Sequence, residues 1–129
     1  MIVDTSAIMA ILLDEPDQAE IALKLRSDFI RRISAGNWIE LTVVVTRRAD
    51  PILRAKLDAL LALAPIEIAP VTAEQAKLGE QAYREYGQGS GHPARLNFGD
   101  CFAYALARAT GEPLLYKGDD FAQTDVIAA

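Results

Sequence analysis

Apolar residues follow two rhythms along this chain. Short runs stand at Ile2-Val3, Ile33-Ser34, Ile66-Glu67-Ile68, Leu114-Leu115-Tyr116 and Val126-Ile127. Between them lie longer stretches in which apolar positions return every three or four residues, the period of a helix with one buried face. The first is Ala7 to Leu13, apolar nearly throughout. Gln18 to Phe29 follows, with Ile21, Leu25 and Phe29 on one side, and Arg31-Arg32 is expected at its basic end. A third helix presents Trp38, Leu41 and Val45, and a fourth, Ile52 to Ala62, presents Leu53, Leu57, Leu60 and Leu61. Ala73 to Tyr86 and Phe98 to Ala109 complete the set, the latter expected to be the most buried helix, and Leu114-Leu115-Tyr116 reads as a central strand. Short apolar strands alternating with helices need helices on both sheet faces, which predicts a three-layer α/β/α domain with a mainly parallel sheet.

The polar residues at the element ends sharpen this picture. Asp4 ends the first strand just ahead of Thr5 and Ser6, so it falls at the carboxyl edge of the sheet, where open α/β folds gather ligands. Capping alone would also explain an Asp there. Asp14-Glu15-Pro16-Asp17 reads as a turn and cap, Asn37 with Glu40 three residues later as a capping-box variant, and Thr72 as the cap of the fifth helix. Asn97 can cap the sixth, with Asp100 at the third helical position. Gly87 to Pro93 is the strongest loop signal; its His92, with Arg95 behind it, is either a solvent-exposed residue or a phosphate contact. Tyr83 and Tyr86 read as packing aromatics. Lys117-Gly118-Asp119-Asp120-Phe121 forms a second acidic strand exit.

Length and composition bound the function. At 129 residues the chain has room for one domain, taken as residues 1 to 129. It is 51% hydrophobic, with 18 acidic against 13 basic residues and a net charge of -5, which argues against a scaffold that holds nucleic acid by a basic surface. A lone cysteine, Cys101, excludes an internal disulfide and agrees with a reducing, cytoplasmic setting. A strand so near the initiating Met leaves no room for a signal peptide, and no apolar run approaches membrane-spanning length, so no membrane role is expected. Phosphate-loop, dinucleotide and serine-elbow motifs are all missing. Four carboxylates at two strand exits and two helix starts would repel one another unless a cation stood between them, and an all-oxygen set suits Mg²⁺ or Mn²⁺ rather than zinc.

Four segments in order carry a resemblance that covers essentially the whole chain. They are Ile2-Val3-Asp4-Thr5-Ser6-Ala7, Ser34-Ala35 with Glu40, Arg95 to Ala107 around Asp100, and Leu114 to Phe121 followed by Thr124-Asp125. Together they resemble the PIN-domain toxins of the VapC type from bacterial toxin-antitoxin pairs. The resemblance implies metal-dependent hydrolysis of RNA. Asp4 and Asp100 would be the main metal contacts, Glu40 and Asp120 would complete the acidic shell, and Ser6 and Asn97 would orient a ligand or water. Asp120 is preferred to its neighbour Asp119. The resemblance also implies a cognate VapB-like antitoxin, a homodimeric toxin and higher complexes. Two alternatives stay open: a noncatalytic PIN-like or nucleic-acid-binding module, and a DNA or structure-specific nuclease.

Overall fold

The computed structural model describes all 129 residues, Met1 to Ala129. Strand β1 (Ile2–Val3) runs into helix α1 (Thr5–Leu12), and α2 (Gln18–Ser27) leads to β2 (Arg32–Ser34). Then come α3 (Ala35–Arg47), α4 (Pro51–Leu63), β3 (Glu67–Ala69), α5 (Ala73–Tyr86), α6 (Phe98–Thr110) and β4 (Leu114–Leu115), with a 3-10 turn at Phe121–Gln123. The strands line up as β3-β2-β1-β4 and every pairing is parallel.

The sheet separates two apolar layers because successive strand residues point to opposite faces. Val3, Ile33 and Leu115 enter one cluster with Ala7, Ile8, Leu12, Ile21, Leu25, Leu41, Val45, Leu53 and Leu57 from α1 to α4. Ile2 and Leu114 face the other way, into a cluster with Ala82 and Tyr86 of α5, Ala103, Tyr104, Leu106 and Ala107 of α6, and Phe121. The expected three-layer α/β/α arrangement is therefore what forms. Leu57 lies in the first layer, far along the chain from any acidic motif, and is almost wholly buried. Truncating it as Leu57→Ala is expected to cost about 2 to 5 kcal/mol, measured as a lower urea midpoint with an unchanged slope.

Several local expectations are corrected. The second helix stops at Ser27 and Asp28 turns extended, so Phe29 lies beyond the helical repeat and is 98% exposed. Arg32 belongs to β2 rather than to the basic end of α2, and pairs with Glu112 and, at 3.6 Å, with Glu67. Ser34, not Asn37, caps α3: its side chain accepts from the Gly36 amide, because β2 passes into the helix without a loop. Strand β4 sits at the edge of the four strands, not at the centre. Its outer side is covered by the chain end, where Leu114 donates to the Ile127 carbonyl and accepts from the Ala129 amide, a single bridge at Ala128 in place of a strand at Val126-Ile127. Phe98 opens α6 but is exposed, the buried part of that helix being Ala103 to Ala107. Helix α1 has no exposed residue, whereas α4 leaves Ile52 and Leu63 open. No helix is long and apolar enough to cross a membrane.

Candidate active site at the carboxyl edge of the sheet

β1 is so short that it does little more than deliver the residue that follows it, and that residue is Asp4, 3% exposed and the N-cap of α1. Its Oδ2 accepts from both the Ser6 amide, at 2.8 Å, and the Ser6 hydroxyl, at 2.5 Å. Ser6 in turn accepts from the backbone amide of Lys117, at 3.0 Å, so one serine ties the exits of β1 and β4 together. Asp4 thus caps α1 while standing at the carboxyl edge of the sheet, so the two readings of its position are not exclusive.

Glu40 reaches the same edge from α3. Its Oε2 accepts from the Thr5 hydroxyl at 2.7 Å and from Asn37 Nδ2 at 3.1 Å. Asp100 arrives from α6 through a complete capping box: the Asp100 amide donates to Asn97 Oδ1 at 3.0 Å, and the Asn97 amide donates back to Asp100 Oδ2 at 2.8 Å. In all three carboxylates the protein's hydrogen bonds go to a single oxygen.

The electrostatics show that these groups share one neighbourhood. Burial pushes the Asp4 carboxyl up to about 6, against the hydrogen bonds from Ser6, and the Glu40 charge pushes the same way. Burial pushes Asp100 up to about 7, and the charges of Asp4, Asp120 and Glu40 all add to it. Of the adjacent pair, Asp120 contributes to the rise at Asp100, which agrees with the preference for it. Asp120→Asn is expected to reduce cleavage about tenfold or more and Asp119→Asn much less; equal losses would erase the distinction. Cys101, beside Asp100, is pushed up to about 11, chiefly by burial, and is no candidate nucleophile at neutral pH.

The charges of Asp4, Asp120 and Glu40 all reach Asp100, yet no three His, Cys, Asp or Glu side chains form a ready-made metal cage. Ser6 holds the Asp4 carboxylate, and Asn97 caps α6 while its backbone amide holds the Asp100 carboxylate. His92 and Arg95 are placed differently. The His92 ring packs edge-on against Tyr86 at 4.9 Å and its Nδ1 accepts from the Ala94 amide, so it organises its own loop. Arg95 is exposed, with φ 54. Thr5 and Asn37, the two donors to Glu40, were not given that role from the sequence; the signal available was a polar residue in the first turn of each helix, one position after Asp4 and three before Glu40.

A parallel α/β/α sheet that collects its acidic side chains at one carboxyl edge is the architecture of a site-bearing α/β domain, with the site where the topology predicts it. The PIN domain family matches residues 1–127. Ribonuclease VapC28 of Mycobacterium tuberculosis is 51% identical over 126 residues, covering 98% of this chain and 95% of the relative. Ribonuclease VapC42 of the same species is 49% identical over 126 residues, covering 98% and 96%. The chain belongs to the PIN-domain family, among its VapC ribonucleases. The fold agrees with two solved structures. The Mycobacterium tuberculosis VapC20 crystal structure, described as a toxin that cleaves the sarcin-ricin loop, has a TM-score of 0.70 at 20% identity, covering 99% of this chain and 97% of that one. VapBC2 of Rickettsia felis, bound to a promoter DNA fragment, has a TM-score of 0.75 at 18% identity, covering 99% and 96%.

Proposed function

We propose that the protein is a metal-dependent endoribonuclease that hydrolyses RNA phosphodiester bonds, and that it is the toxin of a pair restrained by a VapB-like antitoxin. The observation that carries this reading is the carboxylate cluster, in which Asp100 is raised to about 7 by burial and by three neighbouring acids. Such a cluster is poorly stable alone and well suited to a hard divalent cation. Mg²⁺ keeps several of its own waters and needs only one or two direct carboxylates, which fits a site without a three-residue cage. When bound, Mg²⁺ or Mn²⁺ would polarise the phosphate and lower the pKa of a water.

Asp4 and Asp100 are the proposed holders of the ion, with Glu40 and Asp120 beside them. Ser6 keeps Asp4 in one orientation by donating to Oδ2, which leaves Oδ1 for the ion or its waters. Asn97 does the same for Asp100 through its backbone amide. Arg95, exposed ahead of α6, is a candidate phosphate contact, whereas His92 contributes to the shape of the loop.

The partner reading is supported by the relatives named above and by apolar surface left open. A groove of about 490 Å³ between α5 and α6 is lined by Val71, Tyr83, Phe98 and Phe102, among others, and suits a second copy of the chain. Ile52 and Leu63 on α4 offer a separate apolar face for an antitoxin, whose basic tail could reach the acidic edge. We take residues 1 to 129 to act as one PIN unit in these assemblies. The test is cleavage of a cellular RNA pool with Mg²⁺ or Mn²⁺, the products mapped at nucleotide resolution beside an Asp4→Asn control. A sharp set of ion-dependent sites, lost in the control, is expected. Cleavage of duplex DNA under conditions that spare folded RNA would overturn it.

A further inference from the structure

Asn37 is fully buried in the first turn of α3, where an amide costs free energy unless its polar atoms are satisfied. Both protons of its Nδ2 are used: one goes to Glu40 Oε2 at 3.1 Å, the other to the Gly99 carbonyl at 2.9 Å. Its Oδ1 has no partner. The amide cannot be turned over to relieve this, because Oδ1 would then face a carboxylate and a carbonyl. The side chain therefore retains an unmet acceptor while spending its donors on Glu40 and on the residue before Asp100.

Two further contacts act on the same carboxylate. Thr5, the residue after Asp4, donates to the same Oε2 at 2.7 Å. A side chain at Gly99 would place its Cβ 2.4 Å from Glu40 Oε1, so the absence of one leaves the space that Oε1 fills. Oε2 is thus held from two sides, and Oε1 receives no hydrogen bond and is bounded by a glycine. Thr5 and Gly99 are the sequence neighbours of Asp4 and Asp100.

We propose that Asn37 is a positioning residue for the ion site: by holding Oε2 of Glu40 and tying α3 to the backbone beside Asp100, it presents Oε1 to the cation at a fixed spacing from the other carboxylates. This rests on the metal-dependent reading above. Thr5 shares the load on Oε2, but only Asn37 also bridges to α6.

The test is Mn²⁺ binding to purified protein, followed by the resonance of free Mn²⁺, for the parent, Asn37→Leu, Asn37→Ser, Gly99→Ala and Asp4→Asn, with thermal unfolding of each without metal. Asn37→Leu keeps the volume and removes both donors; it is expected to weaken Mn²⁺ binding about tenfold or more. Asn37→Ser, which keeps one donor, is expected to fall between parent and Asn37→Leu and serves where the leucine variant does not fold. Gly99→Ala is expected to weaken binding by displacing Oε1. At saturating Mn²⁺, Asn37→Leu should lower kcat for RNA with KM little changed once the rate is referred to the folded fraction read from the unfolding curves, since partial unfolding alone would lower only the uncorrected kcat. Parent-like Mn²⁺ affinity in folded Asn37→Leu or Asn37→Ser, with Asp4→Asn impaired, would overturn the positioning role alone. Parent-like affinity in Asp4→Asn as well would overturn the metal site itself.

Discussion

Asp4→Asn is expected to lower metal-dependent RNA cleavage about a hundredfold or more while raising the thermal midpoint of the metal-free protein at pH 8. The two effects have one cause. Asp4 is a buried carboxylate held up to about 6 mainly by burial, with the Glu40 charge adding to the rise, so its ionised form costs the metal-free fold free energy. Asparagine keeps the shape, and its carbonyl oxygen can still accept from the Ser6 amide and hydroxyl. It removes the charge, and with it the affinity for a cation. Asp100→Asn should behave alike, since an amide oxygen can still close the capping box with the Asn97 amide. Cleavage assays and unfolding curves on the same preparations check this, and a variant that lost activity by unfolding would show a lower midpoint instead.

Metal-free protein is expected to become less stable as pH rises from about 4.5 to 7.5, the reverse of ordinary acid denaturation. Asp4 and Asp100 have folded-state values of about 6 and about 7, both above the ordinary 3.8. The folded state therefore binds their protons more tightly than the unfolded chain does. Stability from this source is fully present below pH 4 and is lost as pH climbs through 6 and 7. For the fully buried Asp4 the rise corresponds to about 3 kcal/mol, or a change in midpoint on the order of 10 °C. Asp100 acts in the same direction but is partly open to water, which reduces its share. Protons and a divalent ion compete for the same oxygens, so added Mg²⁺ should raise the midpoint more at pH 8 than at pH 5.5. A metal-free midpoint that stays flat or rises across this window would contradict the burial of charge at Asp4.

What was legible in the sequence is what local chemistry specifies. Asp4 follows two β-branched residues and precedes a helical run, and Asn97 with Asp100 makes a capping box whose two halves both form. Four acidic motifs in order were enough to indicate the family. The errors arose where tertiary contacts override a local pattern. Phe29 continued a four-residue repeat past a helix that had already ended, and Arg32 looked like a helix terminus although it is in a strand that pairs on both sides. Asn37 had a cap's chemistry at a cap's spacing, but Ser34 already occupied that role. The attachment of Asn37 to Gly99 joins residues 62 apart, and no periodicity within α3 announces it. Strand β4 carried the apolar run of a central strand because the chain end covers its outer side.

The most direct test of the central claim is to strip the purified toxin of divalent ions with chelator, confirm that it remains folded, and follow cleavage of RNA as Mg²⁺ or Mn²⁺ is restored stepwise. The predicted result is no cleavage without an ion, recovery on adding one for the parent, and no recovery for folded Asp100→Asn. Cleavage at the parent rate by the ion-free protein, or by folded Asp4→Asn and Asp100→Asn, would contradict it.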